Sequence, residues 1–397
     1  MSDSLLDDIL AIPVAPAIPK STRADFSRKL EVKLDGTTEA TVNCAAAPRE
    51  ELEGKARELL EEYGLKPDAF AVTAFRVSKW TMANGEEGVS ARFSFHSRMF
   101  GGETVDVLDL NELFDLIELH RASPIVVRPS GEHAFIVALG DMQFGKIDGD
   151  GPEGTLRRVI ECINRAADAL AWYRKRFDIG HIHVAWLGDH VEGFVSQGGD
   201  NAWRTQLTLS EQTRLVRRVM MHALQVFAPL AERVTMVAVP GNHGEPQRFG
   251  KKGITRYDDS HDTEALIAVS EAAALDPLHY GHVEFYTPEP DEMTVTLDLA
   301  GTVTSHAHGH QFRPGQHFKW WGDQTFGGSP IGQATLLLLG HLHHLHVEES
   351  GLRTMVQVPA LEATSKWWEH ATGVRGNPGI VVAVTKDGHT GQIEVVR

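Results

Sequence analysis

From about residue 130 onward, short apolar runs alternate with longer stretches in which apolar residues recur every third or fourth position. The runs predict strands at Phe135–Leu139, His183–Leu187, Val234–Val239, Thr294–Leu299, Val303–Ser305 and Ala334–Leu339, with others near His282–Tyr286, Met355–Val358 and Gly379–Val384. The longer stretches predict helices over Leu156–Arg176, Leu209–Phe227 and Asp262–Ala274. Runs this short and this uninterrupted suit strands buried on both faces, and their alternation with helical periods predicts α/β layering.

The pattern upstream is different. Residues 1–20 are apolar fragments broken by Pro13, Pro16 and Pro19, which predicts a flexible tail. Residues 21–125 predict a small α+β accessory domain. Pro48–Tyr63 has the amphipathic composition of a helix. Phe70–Met82 and Val89–Phe95 flank the turn-forming Asn84-Gly85, as a hairpin would. Asp109-Leu110-Asn111-Glu112 reads as a capping box opening a helix to about Arg121. Pro124 and Pro129 then mark a boundary, giving a third segment at 130–397. Arg76, Lys79, Trp80 and Arg92 could form a basic-aromatic face for single strands, although an ordinary solvated hairpin with one packed tryptophan is the simpler account of them.

Chemistry concentrates at the ends of the predicted strands. Phe135–Leu139 leads into Gly140-Asp141-Met142-Gln143-Phe144-Gly145-Lys146, and His183–Leu187 into Gly188-Asp189-His190-Val191-Glu192-Gly193. Val234–Val239 leads into Pro240-Gly241-Asn242-His243, Val303–Ser305 into His306-Ala307-His308-Gly309-His310, and Ala334–Leu339 into Gly340-His341-Leu342-His343. Ligands of open α/β sheets bind beyond the carboxyl ends of the strands. If the chain stays extended after Gly340, His341 and His343 project to one side. Two carboxylates, an amide oxygen and several imidazoles on one rim suit a pair of divalent ions such as Mn²⁺, Zn²⁺ or Fe²⁺.

In this order the motifs D-x-(H/Q), GD, GNH, HGH and GHxH resemble the calcineurin-like metallophosphoesterase superfamily over roughly residues 133 to 385. The resemblance implies a four-layered α/β/β/α metallophosphoesterase sandwich with a two-metal site. It implies that Asp189 bridges the two ions, about 3.5–4 Å apart in two-metal sites. Asp141, Gln143 and His343 would complete one ion's shell, and Asn242, His308 and His341 the other's. His306 and His310 compete with His308 for the fourth motif. His243 would act as a catalytic acid without binding metal, and the nucleophile would be a hydroxide held by both ions. Gln143 stands where histidine is usual in the superfamily, and its harder oxygen favours Mn²⁺. His190, Lys251 and Lys252 are candidate substrate contacts. Arg214, Arg217 and Arg218 read as a solvated or salt-bridged helix face, and Trp367 and Trp368 as packing residues.

The expected activity is hydrolysis of a phosphodiester in nucleic acid or a nucleotide, with phosphomonoester hydrolysis as the alternative. A metal-stabilised, non-catalytic binding or scaffold protein is the rival from another class. The arginine that follows the second motif in serine/threonine protein phosphatases is absent; Glu192-Gly193 stands there. The texture is nearer to nuclease-like members such as SbcD-type exonucleases, and nearest to bacteriophage-type members. A net charge of −16 excludes wrapping of nucleic acid by bulk electrostatics but allows a local patch. The absence of a long apolar run predicts no membrane span, and a start without a basic, apolar leader, with only Cys44 and Cys162, predicts a reducing cytoplasm.

Overall fold

The computed structural model describes residues 28–32, 37–45, 47–63, 67, 70–81, 87–97, 108–119, 128–193, 205–246, 256–363, 373 and 376–397. The tail at 1–20, the Asn84-Gly85 turn, Pro124, Lys251, Lys252, Trp367 and Trp368 lie outside these residues. The chain divides into two compact units, Met1–Thr104 and Val105–Arg397.

In the first unit, strands β1 (Arg28–Val32), β2 (Thr37–Ala45), β3 (Phe70–Thr81) and β4 (Glu87–Ser97) form one antiparallel sheet in the order β1-β2-β4-β3. Helix α1 (Arg49–Glu62) places Leu52, Ala56, Leu59 and Leu60 on one stripe. They pack on Ala40, Val42, Val89, Ala91, Phe93 and Phe95. Burying each large side chain contributes about 1.5–3 kcal/mol. The alternation of burial along β4 turns Ser90, Arg92 and Ser94 to the other face of the sheet.

The second unit begins with α2 (Leu110–Glu118), earlier than the boundary expected near residue 125. Asp109 caps it by accepting from the Asn111 amide, and Leu110, Leu113 and Ile117 join the core of the larger unit. The apolar stripe decides which unit owns the helix. The strands of this unit divide between two sheets. One sheet has the order β15-β14-β5-β6-β7-β8, formed by β5 (His133–Leu139), β6 (Ile179–Trp186), β7 (Arg233–Ala238), β8 (Val283–Tyr286), β14 (Ile380–Lys386) and β15 (His389–Val396). Its strands β5 to β8 run parallel. The other has the order β12-β13-β11-β10-β9, formed by β9 (Val295–Leu299), β10 (Thr302–His306), β11 (Leu336–Leu339), β12 (His346–Ser350) and β13 (Arg353–Gln357).

Period two explains the packing. Along β5, Phe135, Val137 and Leu139 meet helices α3 (Gly151–Tyr173) and α4 (Leu209–Phe227), while Ala134, Ile136 and Ala138 turn towards Leu336, Leu338 and Val356 of the second sheet. On the far side of that second sheet, Leu337, Leu339 and Met355 pack against Trp321 of a helix at His317–Phe326. No helix of the described residues is long and apolar enough to cross a membrane.

Candidate metal centre

The carboxyl ends of β5, β6 and β7 in one sheet and of β10 and β11 in the other meet along one rim, tied by backbone hydrogen bonds between their loops. The Asp141 amide donates to Gly188 O at 3.0 Å and the Gly340 amide to His308 O at 2.9 Å. Asp141, Gln143, Asp189, His341 and His343 all have positive φ, between 44° and 77°. Each such backbone costs about 1–3 kcal/mol and persists only where the surroundings over-determine it. His341 and His343 therefore do not follow an extended chain, as the sequence pattern suggests; two left-handed residues turn them into two neighbouring pockets. A Cβ on Gly241 would overlap Asp189 Oδ1, which explains the glycine before Asn242.

In one pocket, donor atoms of Asp189, His308 and His341 lie within 4.8 Å of one another and can hold a metal ion. His308 Nε2 is 2.9 Å from Asp189 Oδ2, and His308 Nδ1 donates to Leu187 O at 2.7 Å, leaving Nε2 free to face the pocket. In the other, His343 Nε2 lies 3.2 Å from Asp141 Oδ1, while its Nδ1 lies 3.0 Å from Glu362 Oε1. The residues fit divalent ions on two further grounds. Asp141 Oδ1 and Asn242 Oδ1 are buried and accept no hydrogen bond among the described residues. Buried carboxylates also require nearby positive charge.

The electrostatics express the same demand. Burial disfavours ionised Asp189 and Asp141, yet facing imidazoles, His308 and His243 for the first and His343 and His308 for the second, hold both below the usual carboxylate range. Burial likewise disfavours charge on His308, but Asp189 and Asp141 outweigh it and raise its pKa to about 9. His343 rises to about 10 against its burial because of Asp141 and Glu362. His341, buried and beside His308, falls to about 4.

Around this centre runs a chain of polar contacts. The His243 amide donates to Asp189 Oδ1 at 2.8 Å, and its Nδ1 lies 3.2 Å from Glu192 Oε2. Burial opposes charge on this ring, but Asp189 and Glu192 raise its pKa to about 9. Gln143 turns its oxygen to Lys146 Nζ at 3.0 Å and its amide nitrogen to His243 Nε2 at 3.3 Å. Lys146 Nζ also meets Glu362 Oε2 at 2.6 Å.

Asp141, Gln143, Asp189, Asn242, His243, His308, His341 and His343 thus lie at one rim. His190 does not stand open to a substrate: it is fully buried, with its ring edge-on to Trp186. His306 is the last residue of β10 and turns into the space between the sheets, where its Nε2 lies 2.8 Å from His183 Nε2. His310 stands beside the centre, its ring 6.2 Å from that of His341. Arg217 pairs with Glu264, and Arg214 and Arg218 lie over Phe114, a salt-bridged and packed face.

Four residues at the rim escaped the sequence reading. Glu192, Lys146 and Glu362 are described above. The fourth, Asp262, is fully buried in the first turn of helix α5 (His261–Ala274) and accepts from the amides of Asp189, His190 and Gly241 at 2.9–3.0 Å. It clamps the second and third motif loops together. Ser260 as N-cap with acids in the first turn marks the helix start in the sequence, but nothing there reveals three distant amides.

No family model matches this chain, and no curated protein matches it. Among solved structures it is similar to a conserved uncharacterised protein of Streptococcus pneumoniae described as a predicted phosphoesterase, at 12% identity and TM-score 0.27, over 66% of this chain and 87% of that one. It is similar to a novel archaeal phosphodiesterase at 13% identity and TM-score 0.31, over 66% and 99%. It is also similar to zinc-complexed Vps29 of Entamoeba histolytica at 13% and 0.30, over 66% and 96%. At such scores the functional reading rests on the site's own residues.

Proposed function

We propose that this protein is a metal-dependent phosphoesterase of the calcineurin-like type, built as a four-layered α/β/β/α sandwich and hydrolysing a phosphodiester of nucleic acid or a nucleotide. One observation carries the reading. A cluster of metal-ligand types, Asp189, His308 and His341, lies beside a histidine that binds through its backbone to the same aspartate yet has its ring held by Glu192. A site that only holds ions for stability has no use for that ring.

Asp189, Asn242, His308 and His341 would hold one divalent ion, and Asp141, His343 and Asp189 a second. Gln143 has its oxygen on Lys146, so in this reading it orients Lys146 and is a weak ligand at most. Bound divalent ions supply positive charge for the phosphoryl oxygens and lower the pKa of water towards neutrality. Glu192 fixes the His243 ring so that Nε2 is the atom that delivers a proton to the departing oxygen. Glu362 accepts from His343 Nδ1 and keeps Nε2 turned to Asp141. Lys146 pairs with Glu362, which neutralises it beside the centre.

The test is hydrolysis of bis-p-nitrophenyl phosphate, p-nitrophenyl phosphate and labelled single-stranded DNA with added Mn²⁺, with Asp189→Asn as control. Cleavage of the diester or of DNA, lost in the control, is expected. Monoester cleavage alone would replace the diester reading with a phosphatase. Silence on all three substrates with metal bound would overturn the enzyme reading.

A further inference from the structure

Among the described residues, the N-terminal sheet has one face covered by α1 and no helix of its own unit on the other. Register places Lys29 of β1, Thr41 of β2, Arg92 of β4 and Arg76 of β3 in a single row across all four strands. The row belongs to the uncovered face, because the adjacent rows carry Val42, Ala91 and Phe93, which pack under α1. Arg76 and Arg92 are direct cross-strand partners and both are exposed. Neither has a carboxylate partner among the described residues. Like charges placed directly opposite destabilise a sheet, and a bound anion would relieve that cost. The next row on this face holds Asn43, Ser90 and Ser78, small hydrogen-bonding side chains beside the arginines. The row on the other side holds Glu39, Ser94 and Ala74; Glu39 on β2 is diagonal to Arg92 and two strands from Arg76, so the β3–β4 half is the more basic one.

We propose that this face, along its β3–β4 half, binds the sugar-phosphate backbone of single-stranded nucleic acid. The chain carries a net charge of −16, so a polyanion is repelled by the molecule at large and is held only where cations are gathered. An acidic protein partner is disfavoured because these rows present serine, threonine and asparagine without the large apolar side chains that form an interface core. Contact of the arginines with phosphate is recognition that ignores base identity and depends strongly on salt. Sequence pattern suggested Lys79 as part of such a face, but Lys79 pairs with buried Val89, so it belongs to the row on the helix-covered side. The proposal rests on the nucleic-acid reading of the substrate, and its test separates the two.

The experiment uses the full chain in chelator and follows the anisotropy of a labelled oligothymidylate between about 50 and 200 mM salt. Arg76→Ala/Arg92→Ala is expected to weaken binding at least about tenfold at the low end. It should reduce the slope of log affinity against log salt by about 1.4, the loss of two phosphate contacts on a single strand. Arg76→Lys/Arg92→Lys is expected to keep most of that slope, and both variants should hydrolyse bis-p-nitrophenyl phosphate at the wild-type rate. Unchanged affinity and slope in the alanine variant would overturn the surface. So would equal, arginine-dependent binding of polyglutamate. Diester hydrolysis without any binding of the oligonucleotide would sink the surface and leave the activity standing. Arginine-dependent binding by a protein that cleaves no diester would do the reverse.

Discussion

Two groups of histidines lie at the same pair of sheets, one on the rim and one a few residues deeper. On the rim, His308 and His343 face Asp189 and Asp141, and the carboxylates outweigh burial to bring their pKa values to about 9 and 10. Between the sheets, His181, His183 and His306 meet a hydroxyl, one another and a carbonyl. His181 Nε2 and His183 Nδ1 lie 2.8 and 2.7 Å from Thr235 Oγ1, and His306 Nδ1 lies 2.9 Å from Val295 O. The carbonyl can only accept, so His306 Nδ1 donates to it and His306 Nε2 accepts from His183. His183 Nδ1 then accepts from the Thr235 hydroxyl, which accepts from His181. Every ring in that chain is neutral, and burial pushes His181 and His306 down to about 4 and His183 well below its ordinary value. The number of histidines says little about metal chemistry; the carboxylate opposite each ring decides.

The largest test of this contrast pairs two substitutions two residues apart. His308→Ala should lower hydrolysis on the order of 10³-fold and weaken metal binding, because it removes the imidazole facing Asp189, the aspartate proposed to bridge the ions. His306→Ala should leave metal affinity unchanged and cost about 1–3 kcal/mol of stability, since it strands a buried partner in His183. Equal loss of metal in both variants would erase the distinction between rim and interior. Next, His243→Ala should lower kcat about 10²-fold at normal metal content, checked by elemental analysis beside the assay. Metal loss in parallel with the rate would make His243 structural.

A third effect has a pH signature. The folded pKa of His181 is depressed to about 4, so its contribution to stability is full above about 6.5 and is lost as pH falls towards 4. The destabilisation produced by His181→Gln, read from urea midpoints against wild type, should therefore shrink by roughly 2 kcal/mol between pH 7 and pH 5. A constant difference would mean that this ring titrates normally. The smallest effect belongs to Glu362→Gln, which keeps a hydrogen bond to His343 but removes the charge behind it. Metal affinity should fall about tenfold by calorimetry, with the fold intact. No change would make the carboxylate a partner of Lys146 alone.

Much of this was legible in the chain. Leu337, Leu338 and Leu339 before Gly340-His341, and the apolar runs before Asp141, Asp189 and Asn242, marked buried strands ending in ligand types. Periodicity also located α1, α3, α4 and the hairpin of β3 and β4. It could not apportion strands between two sheets, because a strand buried on both faces has the same apolar pattern whichever neighbour it pairs with. Nor could it place α2, whose stripe fits either core. At the site, spacing could not separate His308 from His306. One lies past the end of β10 and the other within it, a boundary of two residues that hydrophobic pattern does not resolve.

The sequence alone determined which residue types stand at strand ends, where chain direction and glycine make room for them. Those are local properties, carried by runs of a few side chains and by the lack of a Cβ at positions such as Gly241. Only the tertiary structure decided that Asp262 clamps two motif loops, that Glu362 stands behind His343, and that Lys146 takes the oxygen of Gln143. The first two are contacts between segments whose separation along the chain leaves no periodic trace, and the third spans three residues of a loop whose left-handed backbone only the fold compels. Left-handed backbone at Asp141, Gln143, Asp189, His341 and His343 is of the same kind, since it is stable only when packing and hydrogen bonds from elsewhere compel it.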